Sequence, residues 1–266
     1  MFWKKHKWKI IVPVCLIALA AFLFWYGGDA PGLQGWKVEK RPTATEVPGS
    51  ELDERPGGAE GVMSVEDKLA YAAALAGDQT GEQGDAEYSA AQGMQLDPET
   101  GLDRYMTGAI PKGRPIPVEP QDVEISDIEH TCTISISCAS ILNNMGWLNP
   151  EKTELVPEDG WILRPIEVTF YEGESVFNVL LRTCKQQGIH MEFVNTPIYN
   201  SAYIEGIHNL YEFDCGQLSG WVYRVNGWGP KYGCSRYGLK QGDVIEWLYT
   251  CDLGISEGVY VAEEEG

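Results

Sequence analysis

The sequence predicts an α+β domain with a β-grasp-like mixed sheet and one main helix, preceded by an N-terminal transmembrane helix and a disordered stalk. Three observations predict this arrangement. Residues 10–26 form an uncharged apolar run, residues 28–126 are rich in Gly, Pro and Glu, and residues 127–255 combine strand patterns with one amphipathic helix. Since no βαβ unit repeats, one helix packed across a mixed sheet fits better than a parallel α/β fold.

The apolar run predicts a membrane anchor over residues 1–27, which contacts the membrane through residues 10–26. Four lysines precede the run, and tryptophan or tyrosine flanks it at both ends. Lysines favour the cytoplasmic side and aromatic rings favour the interface, so the chain after Gly27 should lie outside the cell. A cleaved signal peptide is the alternative, but Gly28 and Ala30 followed by Pro31 make a poor cleavage site.

Residues 28–126 predict a disordered stalk, because few large apolar side chains are available to offset the entropy of ordering the chain. One short helix is expected at Val65–Ala76. The oxygen-rich stretch Asp97–Asp103 predicts a turn, because it lacks the length and the closing Glu of a calcium loop. After the domain, residues 256–266 are expected to form an acidic tail.

The formal net charge of −19 excludes a nucleic-acid binder, which needs a basic patch. Six cysteines follow the anchor, and none forms a C-x-x-C pair, so a zinc site has little support. Outside the cell this even number permits disulfides, with the pairing left open, although Cys132 and Cys138 lie too far apart on a straight strand to bond. The alternative is an anaerobic host, in which all six would stay reduced. The six are Cys132, Cys138, Cys184, Cys215, Cys234 and Cys251.

The first half of the domain contains two predicted strands and the helix. Thr131–Cys138 alternates strictly between apolar and polar residues, as a strand with one polar face does. Glu167–Tyr171 is a second strand. Ser175 then predicts the N-cap of a helix over Val176–Gln187, which Gly188 ends.

The second half is predicted to be mainly strands. Alternation through Ile189, Met191 and Phe193 indicates one strand. Three further strands are expected at Tyr203–Ile207, Gly220–Val225 and Val244–Thr250. Turns are expected at Asn226–Gly227 and Leu239–Asp243, where the Asp243 carboxylate should accept backbone N–H groups.

Four segments of the domain resemble a known family. They are Gly173–Leu181, Tyr203–Leu210, Ser219–Gly227 and Tyr237–Trp247, in that order. Together they are similar to the transcobalamin-like C-terminal domain family (domain of unknown function 4430), which occurs in surface-exposed proteins of Gram-positive bacteria.

This resemblance implies a binding role and a possible cobalamin or corrinoid ligand. In transcobalamin and intrinsic factor, the related β domain closes over cobalamin held against a large helical barrel. No such barrel is predicted here, so a lone β domain would cover only one side of a corrinoid. A separate partner protein would have to complete such a site.

Candidate ligand-binding residues come from the aromatic-rich stretch between Tyr199 and Tyr249. The loop from Asn226 to Cys234 is poor in aliphatic residues and has glycines beside both rings, so Trp228 and Tyr232 are expected to reach solvent. The competing interpretation is a loop held by its own rings, with Cys234 in a disulfide. The candidate residues are Trp221, Tyr223, Asn226, Trp228 and Tyr232.

Catalytic patterns are weak, and we predict that the protein is not an enzyme. Ser219 does not lie in a G-x-S-x-G elbow, and the histidines of the domain show no H-E-x-x-H spacing. His190 alternates with core residues and is expected at the surface. No metal site or catalytic residue is predicted.

These observations predict a membrane-tethered, cell-surface binding or interaction module whose partner is a surface protein or a glycan. The alternative is capture of a small ligand, cobalamin or another corrinoid, by the same domain.

Overall fold

The computed structural model describes residues 84–259. The predicted anchor at residues 1–27 and the helix expected at residues 65–76 lie outside this range. Within it, no helix combines the length and the apolar character that a membrane span requires.

The described part of the chain folds as a mixed α+β structure with two sheets and few helices. The α-helices are α1 (Ala86–Ala91), α2 (Ala139–Leu142) and α3 (Val176–Gln187). The strands are β1 (Glu129–Ser137), β2 (Trp161–Tyr171), β3 (Met191–Thr196), β4 (Ser201–Ile207), β5 (Leu210–Tyr211), β6 (Gly220–Val225) and β7 (Val244–Thr250). Short 3-10 helices lie at Pro120–Asp122, Met145–Trp147, Pro150–Leu155 and Cys234–Arg236.

The main sheet has the strand order β2-β1-β7-β6 and is mixed, as predicted. β1 pairs parallel with β7, and the other two pairings are antiparallel. Its inward side chains are mostly apolar and buried, with Ile134, Ile136 and Ile245 at 0% exposure. Apolar burial at these alternating positions is what stabilises the sheet.

Helix α3 begins and ends where the sequence predicted. The Ser175 side chain and the Asn178 side chain form a reciprocal capping box, and Gly188 ends the helix in the left-handed region at φ 67°. Val176, Val179 and Leu180 are fully buried on the inner face. The helix therefore covers the core with one mainly apolar face, although Leu181, which its spacing placed on that face, is 40% exposed.

A second sheet, with the order β3-β4-β5, was not predicted as a separate unit. β3 and β4 pair antiparallel, and β5 pairs only with the end of β4, at Gly206 and Ile207. The strand prediction at Tyr203–Ile207 was two residues short at its start. The predictions for β6 and β7 agree with the observed bounds, whereas β2 begins at Trp161, six residues before the predicted start.

The expectation of a disordered stalk up to residue 126 differs from the structure. Residues 84–126, which we call the N-terminal segment, pack on the domain. The Val118 amide donates to the Arg236 carbonyl at 2.8 Å, and the Ser126 amide donates to the Glu172 carbonyl at 2.9 Å. Ile110 is 2% exposed. The segment lacks a periodic apolar pattern, so its order depends on contacts that only the folded domain provides.

One buried arginine fixes this segment. The Arg236 side chain is 1% exposed, and its Nη2 donates to Asp103 Oδ2 at 2.8 Å and to Glu119 Oε1 at 2.9 Å. Its Nη1 donates to Thr107 Oγ1 at 2.7 Å, and its guanidinium lies 5.0 Å from the centroid of the Tyr105 ring. All four partners belong to the N-terminal segment, so Arg236 joins it to the domain.

The turn predicted at Asp97–Asp103 is confirmed. Asp97 Oδ1 accepts the backbone amides of Glu99 and Thr100, each at 2.9 Å, and these bonds lower the pKa of Asp97. The predicted acidic tail is described only as far as Val259. That side chain is 5% exposed and lies in the interior, so the buried structure extends past residue 255.

The six described cysteines are free thiols, and all are buried. Desolvation raises the pKa to about 12 at four of them, Cys132, Cys138, Cys184 and Cys234. A disulfide at Cys234, which the competing interpretation of the loop required, is not formed. Its thiol contacts the Ala202 carbonyl oxygen at 3.5 Å instead.

Candidate functional site

A cavity of about 490 Å³ lies between the N-terminal segment, β4, β6 and the loop that follows β6. We call it the aromatic cavity. Its volume falls within the roughly 300–1,000 Å³ range of small-molecule sites. It includes four of the five predicted ligand-binding residues, namely Trp221, Tyr223, Trp228 and Tyr232.

Eight aromatic side chains line this cavity. The four that the sequence did not single out come from the N-terminal segment, from the turn before β4, from β4 and from β7. The full set is Tyr105, Tyr199, Tyr203, Trp221, Tyr223, Trp228, Tyr232 and Trp247. Tyr105 was missed because we expected its segment to be disordered and remote from the domain.

Hydrogen bonds hold several of these rings in place. Trp221 Nε1 donates to the Leu210 carbonyl at 2.9 Å, and the Tyr223 hydroxyl donates to the Tyr232 carbonyl at 2.8 Å. The Tyr232 hydroxyl donates to the Pro115 carbonyl at 2.8 Å. Because their polar atoms are satisfied within the protein, these rings present preorganised apolar surface to a ligand.

The expectation that Tyr232 reaches solvent is wrong, because the residue is 7% exposed. Its ring stacks on Tyr237, with centroids 6.1 Å apart and planes 21° apart. The N-terminal segment covers its hydroxyl end. The loop glycines therefore allow the chain to turn inward and do not display the ring to solvent.

Trp228 is half-buried and lies between the core and the cavity. Its ring packs edge-on against Tyr232, with centroids 6.2 Å apart, and the Arg114 guanidinium lies 5.4 Å from its centroid. Backbone bonds between Val225 and Trp228 at 2.8 and 3.0 Å close the turn. Trp228 is therefore positioned by a rigid turn, and part of its surface remains open.

Asn226 does not line the aromatic cavity, so the structure does not bring it together with the four ring residues. It occupies the turn at φ 54°. Its Nδ2 donates to Asp243 Oδ1 at 2.8 Å, and its Oδ1 accepts the Val244 amide at 2.9 Å. Asp243 also accepts the Lys240 amide at 2.8 Å, as predicted for this turn. Asn226 thus connects two turns at one end of the sheet.

The charge of the cavity wall differs from that of the whole chain. No Asp or Glu is among the described residues that line it, although the sequence has 39 acidic and 20 basic residues. Lys231 and Arg236 supply its cationic groups. Desolvation raises the pKa of Tyr203 and Tyr232 well above the usual tyrosine value, so both hydroxyls stay neutral. The wall therefore suits an apolar ligand that carries acceptor groups.

Between residues 84 and 259, His, Cys, Asp and Glu form no group of three or more that could hold a metal ion. Ser219 is buried, and its hydroxyl donates to the Gly216 carbonyl at 2.8 Å and accepts the Cys215 amide at 3.0 Å. The His190 side chain is 40% exposed, as expected, and Nε2 lies 3.2 Å from Glu192 Oε1.

Comparison with known proteins gives one family and a similar solved structure. Residues 173–250 match the family described as Domain of unknown function (DUF4430), which confirms the resemblance over these residues. The crystal structure of haptocorrin in complex with Cbi is similar at 15% identity and a TM-score of 0.33, over 47% of this chain. The match covers 26% of the haptocorrin chain. No curated protein matches. Neither description names an enzymatic activity.

Proposed function

Residues 173–250 carry a transcobalamin-like domain of unknown function, and from that premise we propose that the protein is a binding module that takes a small ligand in the aromatic cavity. The observation that carries this proposal is the set of eight aromatic rings around one cavity of about 490 Å³. We further propose that an N-terminal membrane anchor, residues 1–27, holds this module at the outer face of the cell.

The ligand class follows from the composition of the wall. Rings that are already hydrogen-bonded offer flat apolar contact, which favours a planar or ring-containing ligand. The absence of acidic groups among the described lining residues favours acceptor groups on that ligand. A cationic ligand would meet no counter-charge in this wall.

A corrinoid, cobalamin or a smaller relative such as cobinamide, is the specific candidate. Its support is the similarity of four sequence segments to the transcobalamin-like family and the family match over residues 173–250. The cavity has the volume of a drug-sized site, so it would hold only part of a corrinoid. Binding would then place one edge of the ligand among the rings and leave the other face for a partner protein.

The experiment is a titration of the full chain with cobalamin and cobinamide, followed by thermal unfolding. We expect a saturable rise in melting temperature, because a ligand that binds only the folded state stabilises it by mass action. Trp228→Ala should abolish this rise. Trp161→Ala is the matched control, because Trp161 is also half-buried but lies on β2, outside the cavity.

Two outcomes would contradict the proposal. If neither corrinoid shifts the melting temperature, the corrinoid candidate fails for this chain on its own. If both tryptophan variants lose the shift equally, the aromatic cavity is not the site.

A further inference from the structure

A second cavity of about 490 Å³ lies where the N-terminal segment meets the start of α3 and the turn between β3 and β4. It shares Thr196, Ser201 and Ala202 with the wall of the aromatic cavity. Its other lining residues include a single aromatic side chain and three asparagines. They are Val118, Pro120, Val123, Ile125, Gly173, Ser175, Phe177, Asn178, Asn195, Pro197, Asn200 and Ser235.

No ionisable residue is among the described residues that line this cavity, which we call the neutral cavity. Charged residues make up 22% of the sequence, so a lining of this size without one is unusual for the chain. An ion that entered would give up hydration without gaining a counter-charge. The lining therefore offers no ion pair to a charged ligand.

Seven of the fifteen described lining residues nevertheless carry hydrogen-bonding side chains. Three asparagines and four hydroxyl residues line it, and some of these groups are already committed. Ser201 Oγ and Ser235 Oγ bond to each other at 2.8 Å. Asn200 Nδ2 donates to the Glu119 carboxylate and to Gln121 Oε1. These internal bonds make part of the wall rigid.

Two carboxamides remain available for a ligand. Asn178 uses Oδ1 in the capping box of α3, where it accepts the Ser175 amide at 2.9 Å. Among the described residues, neither Asn178 Nδ2 nor any side-chain atom of Asn195 has a hydrogen-bond partner in the protein. A carboxamide offers both donors and acceptors, which suits a ligand that presents hydroxyl or amide groups.

The same cavity has rigid apolar surfaces. Phe177 packs edge to face on Phe193, with centroids 4.8 Å apart and planes 70° apart, so its ring is held in position. Pro120 and Pro197 add two further ring surfaces. A neutral sugar has polar hydroxyls around its edge and C–H groups on its faces, and it matches this combination of carboxamides and ring surfaces. We propose that the neutral cavity binds a neutral carbohydrate of one or two sugar units.

The test measures binding of neutral disaccharides to the full chain by isothermal titration calorimetry and saturation-transfer NMR. The probes are cellobiose, maltose and N,N′-diacetylchitobiose, with galacturonic acid and glucosamine as charged comparisons. We expect saturable binding of at least one neutral probe and none of the charged sugars. Failure of all three neutral probes to bind at concentrations up to about 10 mM, where even millimolar complexes saturate, would overturn the proposal.

Asn195→Asp is the informative variant, because Asn195 is exposed on β3 and its replacement adds a charge without disturbing the core. We expect it to weaken binding of the neutral probe at least five-fold. Asn143→Asp makes the same change outside the cavity and should leave binding unchanged. Equal weakening by both variants would refute the assignment. Trp228→Ala should not affect sugar binding. Failure of sugar binding in the neutral cavity can therefore be distinguished from failure of corrinoid binding in the aromatic cavity.

Discussion

Replacement of Arg236 by Met tests whether the N-terminal segment is a structural part of the domain. The change removes a buried cation and retains an apolar chain of similar length. Asp103, whose side chain is 7% exposed, and Glu119, at 27%, would then lie near each other without their counter-charge. Breaking a buried ion pair on one side typically costs about 3–5 kcal/mol, because the remaining charge stays desolvated.

We therefore expect Arg236→Met to lower the free energy of unfolding by about 3 kcal/mol, the lower end of that range, since Glu119 can be partly rehydrated. The matched control is Arg164→Met, which removes an exposed ion pair with Asp159, with side chains 70% and 48% exposed. Its expected cost is about 0–1 kcal/mol.

Urea denaturation of the full chain, followed by tryptophan fluorescence, gives both free energies. Hydrogen exchange shows which part of the protein loses stability in Arg236→Met. The Val118 amide, which donates to the Arg236 carbonyl, should lose protection while amides of β1 and β7 keep theirs. If Arg236→Met and Arg164→Met cost the same, or if protection falls uniformly, Arg236 does not hold the segment in the way described.

Three further predictions concern the core. Gly206→Ala should destabilise the fold by about 1–3 kcal/mol, because its Cβ would lie 2.7 Å from the Tyr211 ring; Gly108→Ala, whose Cβ has 3.8 Å of room, is the control in the same urea titration. Ser175→Ala should lower the free energy of unfolding by about 1 kcal/mol, because it removes the N-cap of α3. Hydrogen exchange of the α3 amides is the measurement, and unchanged exchange rates would contradict this prediction. The free energy of unfolding should fall as pH rises from 9 toward 12, because the unfolded chain releases thiol protons that the folded chain retains. Cys184→Ala should make this fall with pH less steep. An equally steep fall in the variant would contradict the contribution of Cys184.

The sequence predicted elements whose side chains follow a regular period. The bounds of α3, β6 and β7 agree because apolar residues recur at helix or strand spacing and because capping residues such as Ser175 and Gly188 mark the ends. The mixed sheet could be inferred from the number and order of these elements. Four of the five candidate site residues lie in one cavity. They could be selected from the sequence because aromatic residues are concentrated in one stretch of it.

The N-terminal segment could not be predicted in the same way. Its order depends on Arg236, which contacts Asp103 and Glu119 across more than a hundred positions of sequence. No local pattern encodes such a pairing. The burial of Tyr232 was missed for the same reason, since its hydroxyl partner is the Pro115 carbonyl. Asn226 lies apart from the aromatic cavity because its side chain bonds to Asp243 at the turn, a direction that its proximity in sequence to Trp228 does not fix.

The contacts of the N-terminal segment also determine how the domain responds to mechanical load. A force applied to the chain before Gly84 acts first on residues 84–126, which lie ahead of β1 in the chain. The hydrogen bond from the Asp85 amide to the Ile110 carbonyl, at 3.0 Å, and the ion pairs of Arg236 would bear it before any strand pairing did. Because this segment supplies one wall of the aromatic cavity, tension would open the cavity while leaving the main sheet folded.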